Sequence, residues 1–451
     1  MSETPVPFSE GVRTWMRIGL LSFGGPAGQI AVMHRILVDE KRWIGEERFL
    51  HALNYCMLLP GPEAQQLATY VGWLLHGTRG GLVAGSLFVL PGFLAIMAFS
   101  IVYATWGQHP IVEGVFLGLK AAVIALVIQA LLRIGQRALR SSIARWVAVL
   151  AFVALALLHV SFPIIIAAAA LFGYVWTRYG RSEFIAGGNT HARGAAPTPT
   201  PILNDSKLTQ VRPSTRRAVT ILAIFLPLWL APVAALAFAV GPAHVFTQVG
   251  LFFSKMAVVT FGGAYAVLTY VAQQAAEHYG WVTPTQMLDG LGLAESTPGP
   301  LIMVVQFVGF LAAYQTSGIA HPLLAGIFAA CLTVWVTFVP CFLWIFLGAP
   351  YVESLRKNEA LSGSLAAITA AVVGVIANLA LWFALHALFA HVTPHAFAGR
   401  LHIDVPDVSS VRWILVLLTA LALVMTFPLK WSLARNLAVC AAVGVVYTLW
   451  A

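Results

Sequence analysis

Four short stretches interrupt the apolar runs of this chain with residues that could meet an ion: Phe23-Gly24-Gly25-Pro26, Pro60-Gly61-Pro62, Phe261-Gly262-Gly263 and Pro298-Gly299-Pro300. Proline and glycine stop a helix, and a stopped helix exposes unpaired N–H groups at its positive end. Such an end is a cradle for an anion. Pro26, Pro62 and Pro300 stand where a first-turn proline is favoured, so the second arm begins just after each glycine. Polar residues accompany the breaks. Arg17 and Ser22 precede the first, and Lys255 and Thr260 precede the third at the same distances. Glu63 and Gln66 follow the second, Glu295 and Thr297 precede the fourth, and Lys120 sits within a separate apolar run. A charge at mid-membrane costs about 2.5 to 3.5 kcal/mol on insertion scales, so Lys120 requires a partner or a wet cavity. The cations either serve an anion or pair with Glu63, Glu113 or Glu295, or snorkel to the interface. Glu63 either satisfies a helix dipole or takes up a proton as the anion arrives, and Glu295 is the second candidate for that proton. Other chemistry finds little support. His34, His51, His76 and His159 are scattered, no nucleophile–His–acid set or metal-ligand cluster occurs, no cofactor motif is present, and no G-x-x-x-x-G-K-[ST] could engage ATP. Cys56, Cys331, Cys341 and Cys440 make no C-x-x-C pair and read as packed, reduced thiols.

The elements that hold these residues must lie in lipid. Of 451 residues 59% are apolar and only 10% charged, which predicts an all-α polytopic membrane protein. Runs at 81–105, 111–132, 143–158, 162–177, 218–240, 322–348, 360–390, 413–428 and 433–450 approach or reach the span of a bilayer. The net charge of +9 would suggest nucleic acid in a soluble protein. Here the basic residues fall in loops and report topology, so no nucleic-acid partner is expected. The start, "MSETPVPFSEGVRTW", lacks a basic stretch followed by an apolar core, and no cleaved signal peptide is expected.

The chain also repeats itself. "MRIGLLSFGGPAGQIAV" aligns with "SKMAVVTFGGAYAVLTY" at an offset of 238, which also carries Trp43 onto Trp281 and Pro60-Gly61-Pro62 onto Pro298-Gly299-Pro300. "LKAAVIAL" at 119–126 aligns with "ITAAVVGV" at 368–375 at an offset of 249. Residues 8–177 and 244–450 are therefore read as copies, giving an N-terminal repeat (1–180), a polar linker (181–217), an extra crossing (218–240) and a C-terminal repeat (241–451). Loop charge inverts between the copies. Arg133, Arg137, Arg140 and Arg145 in one copy face Arg400, Asp404 and Asp407 in the other, whereas Arg356, Lys357, Lys430 and Arg435 answer uncharged loops. By the positive-inside rule the repeats have opposite topology, with the N-terminus and linker cytoplasmic. Counting crossings makes 46–77 enter and leave on one side. Its arms of about 15 residues reach about 22 Å, short of a 30 Å core. Residues 8–38 and both counterparts follow the same logic. The expected fold is thus two inverted repeats whose Gly/Pro-broken re-entrant hairpins meet near the midplane, shielded from lipid as broken backbone requires. Any one break could be a kink in a spanning helix; four, paired across a repeat, point to a site.

The stretches "FGGPAGQIAVMH", "LLPGPEAQQLATYVGW", "GLKAAVIALV", "FGGAYAVLTYV" and "ESTPGPLIMVVQFVGF" resemble the paired motifs of the chromate ion transporter family in its long, two-domain form. In that family the second copy often reads FGGGY where this chain has Ala264, and Thr269 stands where a proline is common. The resemblance implies a bacterial inner-membrane exporter of chromate that confers chromate resistance, driven by the membrane potential or coupled protons, with sulfate as competing analogue and a homodimer left open. Another oxyanion transporter is the alternative. From a different class, an intramembrane enzyme or a lipid-phosphate carrier is the competing reading.

Overall fold

The computed structural model describes residues 6–180, 214–261, 263–349, 359–397 and 401–450. Most of the polar linker, Gly262, and the loop residues Arg356, Lys357 and Arg400 used in the charge argument fall outside them. Among the described residues the regular structure is helical apart from one two-stranded antiparallel ribbon, β1 (Val392–Phe397) with β2 (Leu401–Pro406). Six helices among the described residues are long and apolar enough to cross a membrane. The protein is a multi-pass, α-helical membrane protein.

The expected interruptions are visible in the element order. Helix α1 (Phe8–Leu21) stops before α2 (Gly25–His34), and α3 (Glu46–Leu58) stops before α4 (Glu63–Trp106), which itself breaks at His76 and Gly77. Helices α5 (Pro110–Ala138), α6 (Ser142–Ala156) and α7 (Phe162–Arg178) follow. After α8 (Thr215–Ala239) the pattern recurs: α9 (Val245–Val259) stops before α10 (Ala264–Gln273), and α11 (Pro284–Ser296) stops before a 3₁₀ turn (Leu301–Met303) and α12 (Val304–Thr316). Helices α13 (Pro322–Gly348), α14 (Glu359–Leu388), α15 (Trp413–Thr426) and α16 (Leu433–Trp450) complete the chain. Helices α2 and α10 each run on into a π-helical turn, Arg35–Glu40 after one and Gln274–His278 after the other.

Three expectations need correction. Residues 133–145 are not all loop, because α5 continues to Ala138. The stretch 391–411 is not plain loop but carries the ribbon, closed by Asp407, whose carboxylate caps the Val408–Ser410 turn by accepting from the Ser409 N–H at 2.9 Å. Those bonds, from the Ser409 N–H and hydroxyl, hold the exposed Asp407 carboxyl below its ordinary range. Cys331, unlike the other three cysteines, is exposed, on α13.

The helices cluster into two compact units, each built from segments of both halves of the sequence. The first unit holds 1–97, 189–264 and 297–358, and so contains all four breaks. Within it α13 packs on α12, α9 and α8. The second unit holds 98–188, 265–296 and 359–451. There α5 packs on α16, and α14 packs on α7 and α6. Small residues allow these approaches, as is usual where lipid removes the hydrophobic drive for association. At Gly118 on α5, a Cβ would stand 2.0 Å from the backbone oxygen of Cys440 on α16. Gly118→Leu is therefore expected to separate the two helices and remove most folded protein from the membrane. Gly135→Ala on the same helix, whose Cβ would meet nothing nearer than 3.7 Å, should leave yield and melting temperature unchanged. Equal yields for the two variants, measured by fluorescence-detected gel filtration, would contradict this packing.

Candidate functional site

The four breaks of the first unit meet in two reciprocal pairs. The Gly61 N–H, at the Pro60–Pro62 break, donates to the Thr260 carbonyl at 2.9 Å. The Gly299 N–H, at the Pro298–Pro300 break, donates to the Ser22 carbonyl at 2.8 Å. Each bond therefore joins a Pro-Gly-Pro break to a Phe-Gly-Gly break. Both tips require glycine, with φ of +123° at Gly61 and +98° at Gly299. The Thr260 and Ser22 carbonyls at these breaks are thus satisfied by protein, as broken backbone in a membrane protein requires.

Side chains complete each crossing differently. Ser22 and Thr260 are both buried and both turn their hydroxyls back along their own helices, to Ile18 O at 2.7 Å and Met256 O at 2.5 Å. At the Ser22–Gly299 crossing, Gln29 Nε2 donates to the Gly299 carbonyl at 2.7 Å. Thr297 is buried beside it in sequence, and Pro300 precedes the 3₁₀ turn with no side chain capping that turn's N–H groups. Helix α2 likewise starts from a left-handed Gly24, followed by Gly25 and Pro26, with no side-chain cap. At the Gly61–Thr260 crossing, Gln66 Nε2 donates to the Pro60 carbonyl at 2.7 Å, and the Glu63 carboxylate, just after Pro62, lies 4.0 Å from where a Cβ on Gly263 would stand. The counterpart of Glu63 is Leu301, which is buried and apolar. One helix start thus has a carboxylate in its first turn where the other has leucine. The buried Gln66 Oε1 and Gln306 Oε1 have no hydrogen-bond partner. An orphaned buried acceptor costs about 1–3 kcal/mol, so these oxygens suit a donor brought by water or by a protonated ligand.

The cations lie elsewhere. Arg17 Nη1 pairs with Glu40 Oε2 at 2.8 Å, with the Arg17 side chain 49% exposed, and Lys255 stands on an exposed face of α9. In the second unit Lys120 Nζ lies 3.2 Å from Asp289 Oδ1, and the Tyr103 hydroxyl donates to Asp289 Oδ2 at 3.0 Å. Also in that unit, the Tyr265 hydroxyl donates to buried Glu295, on which the Arg133 charge also acts. Gly262 lies outside the described residues. Asp289, Tyr103, Gln29 and Tyr265 were not singled out in the sequence; an aspartate between apolar residues in "QMLDGLGLAES" was the one signal that could have flagged Asp289.

Comparison with known proteins decides the family. The sequence model of the chromate transporter family, described as "Chromate transporter", matches residues 10–174 and again 247–447. The chain belongs to the chromate transporter family. It is 35% identical over 381 residues to the chromate transport protein of Pseudomonas aeruginosa, covering 82% of this chain and 80% of that one. It is 28% identical to the chromate transport protein of Cupriavidus metallidurans, over 81% of this chain and 80% of the relative. A shorter relative, an uncharacterized transporter of Bacillus subtilis, is 31% identical over 135 residues, which make up 30% of this chain and 68% of that one. No solved structure matches the chain. A transporter, not an enzyme, is the class that these family members share.

Proposed function

We propose that this protein exports chromate across the bacterial inner membrane, and that the oxyanion binds at the Ser22–Gly299 crossing. The observation that carries the site is the reciprocal bonding of Gly299 to Ser22 and of Gly61 to Thr260, which brings uncapped helix starts to buried backbone. Leu301 leaves the Thr297–Pro300 start without a carboxylate of its own, so an anion meets less repulsion there than beside Glu63. Ser22, Gly24, Gly25, Thr297, Gly299 and Pro300 form this binding side. Pro60, Gly61, Pro62, Gln66, Thr260, Gly262 and Gly263 form the opposite side, with Glu63 as a proton acceptor; Glu295, in the second unit, is the other proton candidate. Arg17 and Lys255 contribute a positive field from exposed faces. Their charge acts on a dianion more than on a monoanion.

Outward movement needs no ATP, because carrying two negative charges out of a negative interior gains about 4.6 kcal/mol per 100 mV. Cells producing the protein should hold less labelled chromate than controls, and everted vesicles should accumulate it, more slowly with excess sulfate. Unchanged chromate content with altered sulfate uptake would assign the protein to sulfate instead.

The repeats are proposed to be inverted. The double match of one family model and the half-length Bacillus relative support the duplication, and the opposed loop charges support the inversion. A cysteine at Gln108 or Asp404 should react with an impermeant reagent outside intact cells, and one at Arg140 should not. Equal labelling of Asp404 and Arg140 would overturn the inversion.

A further inference from the structure

We propose that Gly19, Gly92 and Gln306 are positioning residues for the oxyanion: they clasp the uncapped helix start at Pro298–Pro300 onto α4 at Pro91. The clasp rests on the oxyanion reading of that start, and its residues act through the start rather than on the anion. All of them belong to the first unit.

The clasp is built around a proline. Pro91 lies inside α4 and has no N–H to offer the carbonyl four residues back, so Leu87 O loses its helical donor. Gly19, in the last turns of α1, lies against that carbonyl. A Cβ there would collide with Leu87 O and stand 3.3 Å from Pro91 Cγ. The next residue of α4, Gly92, meets the Gly299 break itself. A Cβ on Gly92 would stand 2.6 Å from Pro298 O and 3.2 Å from Gly299 Cα, so backbone lies on backbone with no side chain between them. Ser22, three residues beyond Gly19, closes the ring by accepting the Gly299 N–H at 2.8 Å. Gln306, on α12, fastens the same stretch of α4 from another side chain: its Nε2 donates to the Phe93 carbonyl, next to Gly92, at 3.0 Å. Gln306 is fully buried and leaves its Oε1 without a partner, which makes it a costly residue to keep for packing alone.

The other crossing, in the same unit, is built without this clasp. At the offsets of 238 and 249, Gly19 answers to Ala257, Pro91 to Pro340 and Gly92 to Cys341, so the proline stays and both glycines go. At an offset of 237, where Tyr70-Val71-Gly72-Trp73 aligns with Phe307-Val308-Gly309-Phe310, Gln306 answers to Thr69. The Thr69 hydroxyl turns back to Gln65 O of its own helix at 3.0 Å. The Gly61 break accordingly lies against side-chain ends, with Gln66 Nε2 at 2.8 Å and Cys341 Sγ at 2.9 Å from a Cβ placed there, where the Gly299 break lies against backbone. A break of this kind is therefore held without either glycine. Both glycines and the amide occur at the crossing whose helix start has leucine in place of a carboxylate. Donors fixed before the anion arrives need no reorganisation when it binds, and that is what the clasp supplies.

The test separates position from stability. Chromate and sulfate binding and the melting temperature are measured on the purified full-length protein and four variants. Gln306→Met keeps a side chain of similar length but removes both the bond to Phe93 O and the orphaned oxygen. It should bind chromate at least tenfold more weakly while melting no lower than wild type, a split that a packing role does not produce. Gly19→Ala and Gly92→Ala should each weaken chromate binding at least tenfold as the start withdraws from α4. Gly309→Ala on α12, whose Cβ would collide with the Thr333 hydroxyl, is the control: it should lower the melting temperature and leave the affinity unchanged. If the Gly19 and Gly92 variants do not fold, Gln306→Met decides alone. Wild-type affinity in any of the three that folds, or an equal loss of affinity in Gly309→Ala, overturns the clasp and leaves the oxyanion reading standing. Failure of wild type to bind either anion overturns that reading together with it.

Discussion

Gly299→Ala abolishes chromate protection and lowers the melting temperature of the purified protein, while Gly61→Ala at the equivalent break is milder. The expectation follows from what each methyl group would meet. At Gly299 an added Cβ would stand 3.0 Å from Gly92 Cα and 3.2 Å from Gly92 N, backbone atoms of α4 that cannot swing aside. The tip must then withdraw, and the bond from its N–H to the Ser22 carbonyl is lost along with it. At Gly61 the Cβ would meet Gln66 Nε2 at 2.8 Å and Cys341 Sγ at 2.9 Å, both ends of side chains that can move. Each variant also carries the strain of a side chain at positive φ, about 1 kcal/mol or more. Gly318→Ala isolates that strain, because Gly318 has φ of +66° and nothing within 4 Å of its Cβ position. The expected order of damage is Gly299 above Gly61 above Gly318, in both melting temperature and chromate efflux. Equal tolerance of alanine at Gly299 and Gly318 would mean that the tip does not sit against α4.

Leu301→Glu should cost at least a hundredfold in chromate affinity, whereas Leu301→Gln should cost little. Glu63 shows that a helix start of this kind can hold a carboxylate, and Leu301 is the corresponding position at the other start. A carboxylate about 6 Å from a bound dianion repels it by roughly 5 kcal/mol at an effective dielectric of 20, while a neutral amide of the same size does not. Because Leu301 is buried, the charged variant folds less readily, and the glutamine variant controls for placing polar atoms there. The loss should shrink as the pH falls, since protonation removes the repelling charge. Radioligand binding on purified protein across pH checks both points. Identical affinities for the two variants at mildly alkaline pH would move the anion away from this start.

The parts of this architecture that local rules govern were legible in the sequence. Gly61, Gly299, Pro60 and Pro298 state a helix stop without reference to anything distant, and the structure breaks the helices there. Which break meets which was not legible, because the bonds from Gly61 to Thr260 and from Gly299 to Ser22 each join segments about 200 residues or more apart, and only packing decides that. Lys120 declared its need for a partner by its position, but Glu113, Glu63 and Glu295 were the carboxylates considered, and Asp289 answers it because Gly292 admits α5. Arg17 meets not one of those carboxylates but Glu40, on a π-helical turn that no sequence pattern marks. The β1–β2 ribbon hid behind Pro394 and Pro406, residues that argue against strands and are tolerated here in an isolated two-stranded ribbon.

The most direct test of where the anion sits is a structure of the protein with chromate bound, in which anomalous scattering from chromium locates the metal atom of the oxyanion. One principal chromium peak is expected within hydrogen-bonding reach of the uncapped helix starts at Gly24–Gly25 and Thr297–Pro300, reduced by Leu301→Glu. A principal peak beside Glu63, at the exposed faces of Arg17 and Lys255 alone, or nowhere in the first unit would contradict it.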